Sequence, residues 1–123
     1  NWQLGAIEAS LRQAGFQGEG VVLTEHHATG GVLRMLFPHA HIVVCDELLA
    51  SAPQCVARTL AQARAQHRTA LQITSDDPAP DAWWQAATPD GSLPQTQIIA
   101  LPYRWTDPAQ AQLYLEYLLY PAR

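Results

Sequence analysis

Four short apolar runs punctuate the chain: Val21-Val22-Leu23, Ile42-Val43-Val44-Cys45, Ala70-Leu71-Gln72-Ile73 and Ile98-Ile99-Ala100-Leu101. Between them lie stretches whose apolar residues recur at helical spacing. Leu4, Ile7, Leu11 and Ala14 make an amphipathic first helix within residues 1–15, stopped by Gly15. Thr29 is placed to cap a short second helix carrying Val32, Leu33, Leu36 and Phe37, which Pro38 cannot continue. Ser51 and Pro53 open a third, with Val56, Leu60 and Ala63 inward and Arg58, Gln62 and Arg64 outward, running to about His67. Asp81 can cap a short helix bearing Trp83 and Trp84. Thr106, Asp107 and Pro108 read as the start of a closing helix with Ala109, Leu113, Tyr117 and Tyr120 on one stripe.

Strands alternating with helices predict one α/β domain over residues 1–123, a three-layer sandwich around a mostly parallel four-stranded sheet of Rossmann-like type. The unbroken apolarity of Ile42 to Cys45 marks it as the expected central strand. Leu71 and Ile73 alternate with Gln72 and Thr74, which suggests a strand with one polar flank.

Composition narrows the function classes. With 123 residues, 48% hydrophobic and 15% charged, the chain suits a single globular core, and no apolar stretch reaches the roughly 20 residues of a membrane span. The net charge of −4 arises from eleven acids against seven arginines, with no lysine, so direct nucleic-acid binding is not expected. Cys45 and Cys55 lack the spacing of a disulfide framework or a zinc knuckle, which points to a reducing cytoplasm. The opening Asn-Trp-Gln-Leu has no signal-peptide character, and the missing initiator Met is taken as trimming.

Ligands of open α/β sheets sit beyond the carboxyl ends of the strands, where this chain places Glu25, His26, His27, Asp46, Glu47, Ser75, Asp76 and Arg104. Thr24 to Val32 is similar to the phosphoribosyltransferase loop, so the amides of Thr29, Gly30 and Gly31 are a candidate phosphate cradle flanked by Glu25, His26 and Asp46. The alternative is a helix cap with turn glycines. Glu25, His26 and His27, or His39 with His41, have metal-ligating side chains, but no spacing guarantees convergence, and no metal or cofactor is expected. No Gly-x-Ser-x-Gly elbow, P-loop or Gly-x-Gly-x-x-Gly turn occurs, and a phosphoacceptor receiver would need the lysine that is missing. Four tryptophans in so short a chain direct attention to protein contacts. Trp2, Leu4, Ile7 and Leu11 on one side, and Trp83 with Trp84 on the other, are the candidate partner-binding residues.

A longer resemblance runs through the middle and end of the chain. Ile42 to Cys45 is followed by Asp46-Glu47-Leu48, a helix entry at Ala50 to Pro53, Leu60 with Ala63, and Leu71-Gln72-Ile73-Thr74. Gln97 to Leu101, Pro102 and then Pro108 to Tyr120 close the succession. This order resembles the psi subunit of bacterial DNA polymerase III, with the last stretch corresponding to that family's closing Ala-rich helix. The chain departs from the family by inserting Glu25 to Phe37 before the expected central strand and by lacking an arginine-rich opening. The resemblance implies a noncatalytic, cytoplasmic, heteromeric adaptor of DNA replication that binds the chi subunit and the clamp loader. Two alternatives stand beside it: a small enzyme or binding protein for a phosphorylated ligand at Thr29-Gly30-Gly31, and an inhibitor of immunity type.

Overall fold

The computed structural model describes residues 4–75, 79–102 and 112–122. Along the chain run α1 (Leu4–Gln13), β1 (Gly20–Thr24), α2 (His27–Leu36), β2 (Ala40–Val44), α3 (Ala52–Ala65), β3 (Ala70–Thr74), α4 (Asp81–Gln85), β4 (Gln97–Pro102) and β5 (Gln112–Tyr120). The strands form one five-stranded sheet in the order β2-β1-β3-β5-β4. The pairings of β1 with β2 and β3 are parallel, whereas β5 pairs antiparallel with both β3 and β4. The α/β class is as expected. The sheet itself is mixed, with one strand more than the apolar runs indicate.

Helices cover both faces. On one, Ile7 and Leu11 of α1 and Leu33 of α2 pack with Val22, Ile42, Leu71, Ile73 and Leu115. On the other, Val56 of α3 and Trp83 and Trp84 of α4 pack with Leu23 and Cys45. Burial at this depth stabilises by about 25 cal/mol per Å² of apolar surface, so α1 and α4 belong to the core. Among the described residues no helix is long and apolar enough to cross a membrane.

Three local expectations are corrected. Residues 112–120 form a strand, not the second half of a closing helix, because Leu115, Tyr117 and Leu119 face the α1–α2 layer while Leu118 faces α3 and α4. Apolar residues in both phases hid the two-residue period. Residues 103–111, with Trp105 and the predicted helix start, lie outside the described residues. Next, β2 is an edge strand of intermediate burial, and the centre belongs to β1 and β3, buried at nearly every position. Gln72 and Thr74 are accordingly buried rather than forming a polar flank. Lastly, Cys45 at the end of β2 and Cys55 in α3 are joined as a disulfide with Cα atoms 5.6 Å apart. The ten-residue separation reads as unpaired only while the helix start is not known to fold back over the strand end.

One glycine is dictated by close approach. Gly20 has φ of 100°, and a Cβ there would stand 2.3 Å from the Thr69 carbonyl oxygen, which accepts the Val21 amide. That contact sets β1 beside the entry to β3.

Candidate functional site

The sheet has two places where chemistry can gather: the carboxyl rim of its parallel half, and the outer part of the β4–β5 hairpin. At the rim β1 leads to α2 on one face, while β2 crosses to β3 through α3 on the other. The crevice between β1 and β3 is therefore the position where such sheets take ligands. Glu25 occupies it. Its side chain is 1% exposed, and Oε1 accepts from Thr29 Oγ1 at 3.2 Å, Ser75 Oγ at 3.2 Å and the Ser75 amide at 3.4 Å. Oε2 accepts from Thr24 Oγ1 at 3.3 Å. Burial pushes the carboxyl above its ordinary value, opposed in part by the hydrogen bonds from Ser75 and Thr29. The crevice is filled by this knot, which ties β1, α2 and β3 together.

The other rim residues serve local structure. His26, rather than Thr29, caps α2: its Nδ1 accepts from the Ala28 amide at 3.1 Å. Thr29, Gly30 and Gly31 lie inside the helix, where the Gly30 amide already donates to the His26 carbonyl. The candidate phosphate cradle thus lies in the first turns of α2, with Gly30 seated so close to β2 that a Cβ would meet Val44 Cγ2 at 2.8 Å. Asp46 Oδ1 accepts from the Leu48 amide, and its Oδ2 stands 4.0 Å from Nε2 of the exposed His27. Among the described residues no group of three or more His, Cys, Asp or Glu side chains could hold a metal ion. Asp76 and Arg104 lie outside the described residues.

The partner-binding candidates fall differently. Ile7, Leu11 and Trp83 are almost wholly buried, so their apolar surface is spent within the fold, and Leu4 is half-buried. Trp83 also donates its Nε1–H to the Cys45 carbonyl at 2.9 Å. Trp84 is 3% exposed, and Trp2 lies outside the described residues. Both rings of the short α4 belong to the core cluster of Leu23 and Cys45, packed edge to face with centroids 5.1 Å apart.

The outer hairpin was not singled out by sequence. Directly opposed residues share a face of a sheet, so Ile98 with Glu116 and Ala100 with Tyr114 project to the α3–α4 side. Neither helix covers Ile98 or Tyr114: Ile98 is 65% exposed, Tyr114 49%, and the adjoining Leu93 53%. β4 ends the sheet, leaving its outer backbone edge unpaired among the described residues. Ile98 within the last apolar run gave a signal for a strand, though none for its exposure.

A cleft of about 390 Å³ joins this surface to α4, lined by Ala79, Asp81, Trp84, Leu93 to Thr96, and Glu116. The half-buried Glu116 accepts a hydrogen bond from Thr96 Oγ1 through Oε2. Next to Glu116 across the sheet stands Thr74, and beyond it Gln72, whose Oε1 accepts from Tyr120 Oη at 3.0 Å. Burial raises the Tyr120 hydroxyl to about 12, so it remains a donor at neutral pH. Three buried polar atoms on this side have no partner: Trp84 Nε1, Thr74 Oγ1 and Gln72 Nε2. Such atoms are uncommon in folded proteins.

No family model matches the chain, and neither a curated protein nor a solved structure shows significant similarity to it.

Proposed function

We propose that the chain is a noncatalytic protein-binding module whose contact surface is the outer face and edge of the β4–β5 hairpin. The observation that carries this is the uncovered apolar face at Ile98 and Tyr114, beside a strand with an unpaired edge. Exposed strand edges invite pairing with a further chain, and apolar side chains beside the edge add contact area and register. The rim supports the same conclusion, because the hydroxyls of Thr24, Thr29 and Ser75 are engaged with Glu25 inside the fold.

The likeness to the psi subunit names the first partners to try, the chi subunit and the clamp loader, in a cytoplasmic replication complex. Two findings bear on that version. Residues 112–120 are extended where the likeness implies helix, and the paired Cys45 and Cys55 remove the premise on which a reducing compartment was inferred.

Titration calorimetry with purified chi and clamp-loader proteins tests the partner assignment, and Ile98→Asp tests the surface. Saturable binding to either, weakened at least tenfold by Ile98→Asp, is expected; a charge buried in such a contact costs more than about 1.4 kcal/mol. Ile98 is exposed, but an aspartate there stands opposite Glu116 across the hairpin, so the variant should lose about 1 kcal/mol and remain folded, as far-UV circular dichroism checks. Binding that ignores Ile98→Asp would overturn the surface, and no binding to either protein would overturn the replication version.

A further inference from the structure

The Cys45–Cys55 bridge sits where the frame is already held by other means. The Cys45 amide donates to the Thr24 carbonyl at 2.9 Å, and the Cys45 carbonyl accepts the Trp83 indole N–H at 2.9 Å. Across from it, Ala52 and Val56 anchor the first turn of α3 in the core, at 4% and 0% exposure. Strand end and helix start therefore keep their places, and the two cysteines stay near each other, whether or not the sulfurs are bonded. What the bridge adds is a clamp across the turn between them.

Residues 46–51 form that turn. The Glu47 amide donates to the Glu25 carbonyl at 3.1 Å, the Leu48 amide to Asp46 Oδ1 at 3.0 Å and the Leu49 amide to the Asp46 carbonyl at 3.0 Å. These bonds shape the turn without burying what it carries: Leu48 is 81% exposed, more than any other large apolar side chain among the described residues, and Leu49 is 57% exposed. Main-chain hydrogen bonds open to water hold a segment weakly. With no apolar burial at the two leucines, the covalent clamp is the strongest restraint on how they are displayed.

The two cysteines differ in access. Cys45 is 1% exposed, whereas Cys55 is part-exposed and lies in the first turn of α3, where the helix dipole favours a thiolate. We infer that the bridge is an exchangeable redox clamp, opened by a low-molecular-mass thiol that enters at Cys55, and that it sets whether Leu48 and Leu49 are presented in one fixed arrangement. A glutathione thiolate bonds to Cys55 Sγ as the Cys45 sulfur leaves with the electron pair and takes up a proton. A second glutathione thiolate then bonds to the first, releasing glutathione disulfide and the Cys55 thiolate, so two electrons pass from two glutathiones to the bridge. Glutathione disulfide drives the reverse sequence and restores the clamp. The turn lies on the β2 side of the sheet and the β4–β5 hairpin on the other, so the inference stands independently of the hairpin surface.

Mass mapping of the native full chain tests the chemistry. Reduced glutathione at neutral pH without denaturant, quenched with N-ethylmaleimide, should leave trapped glutathione on Cys55 at least about tenfold more than on Cys45. Where back-attack by Cys45 keeps that adduct scarce, single variants give the same comparison with glutathione disulfide: Cys45→Ser should gain its adduct at least about tenfold faster than Cys55→Ser, each checked as folded by far-UV circular dichroism. Reduction of the isotope-labelled chain with dithiothreitol tests the consequence. The near-UV signal of the Trp83–Trp84 pair should persist. Amide order parameters at Leu48 and Leu49 should fall by about 0.15 or more from the rigid value near 0.85, those of β1 and β3 should not change, and glutathione disulfide should reverse the fall. Adduct on Cys45 in equal or larger amount, a bridge that resists both reductants until denaturant is added, loss of the near-UV signal on reduction, or unchanged order at Leu48 and Leu49 would each overturn the inference.

Discussion

Replacing Glu25 separates a structural knot from a reactive carboxylate. Four donors converge on it, from Thr24, Thr29 and both the hydroxyl and amide of Ser75. Glu25→Ala removes every acceptor at once and opens a void between β1, α2 and β3. A buried donor left unmatched costs about 1–3 kcal/mol, and the three hydroxyls can turn in part toward other acceptors, so a total near 3 kcal/mol is expected. For a chain of this length that lowers Tm by roughly 10 °C. Glu25→Gln behaves otherwise: the amide oxygen keeps the Thr29 and Ser75 bonds, while the amide nitrogen donates to a reoriented Thr24 hydroxyl. The sign of the pH dependence follows from the raised carboxyl. The folded state holds its proton to higher pH than the unfolded chain, so the parent loses stability as pH rises from about 4.5 through the folded value. Glu25→Gln lacks that loss, and its stability relative to the parent should improve steadily across this window. Urea unfolding of the three proteins between pH 4 and 8 measures all of this. Glu25→Ala within about 1 kcal/mol of the parent, or Glu25→Gln running parallel to the parent at every pH, would refute the reasoning.

Adjacent glycines in α2 should respond in opposite directions. Gly31→Ala meets no atom within 4 Å and should stabilise by about 0.5–1 kcal/mol through helix propensity, whereas Gly30→Ala presses on Val44 and should fall below the parent in the same urea series. His26→Ala removes the cap on the Ala28 amide and should cost about 1 kcal/mol, with His26→Asp restoring it; thermal unfolding ranks the three. Reduction, or Cys45→Ser with Cys55→Ser, should cost roughly 3 kcal/mol by releasing a short loop in the unfolded chain, seen as a lower urea midpoint with little change in slope.

Much of the framework could be read from the residues, and the failures have physical causes. Helices α1, α2 and α3 announced themselves because each has one apolar stripe and a stop that needs Gly, Pro or a polar turn. The parallel half of the sheet followed from their alternation with strands. β5 was hidden because Leu and Tyr occupy both of its faces, and burial on two sides erases the alternation that marks a strand. Order within the sheet is hidden for a similar reason: an apolar run reports covered faces, and β2 packs under helices although it ends the sheet. Of the candidate site, Glu25 was legible as a strand-end acid, yet its partners Thr29 and Ser75 are 4 and 50 residues away in the chain. The cleft lined by Asp81 and Glu116 leaves no sequence signal, because it joins α4 to a strand whose residues predict a helix.

Site-specific photo-crosslinking in the native cell tests the module's contact surface most directly. A photoreactive phenylalanine analogue at position 98 or 114 should capture one discrete protein, while the same group at the exposed Arg58 of α3, on a surface given no role, captures none. Adducts of equal strength from all three positions, or none from 98 and 114, would contradict the assignment of the β4–β5 face.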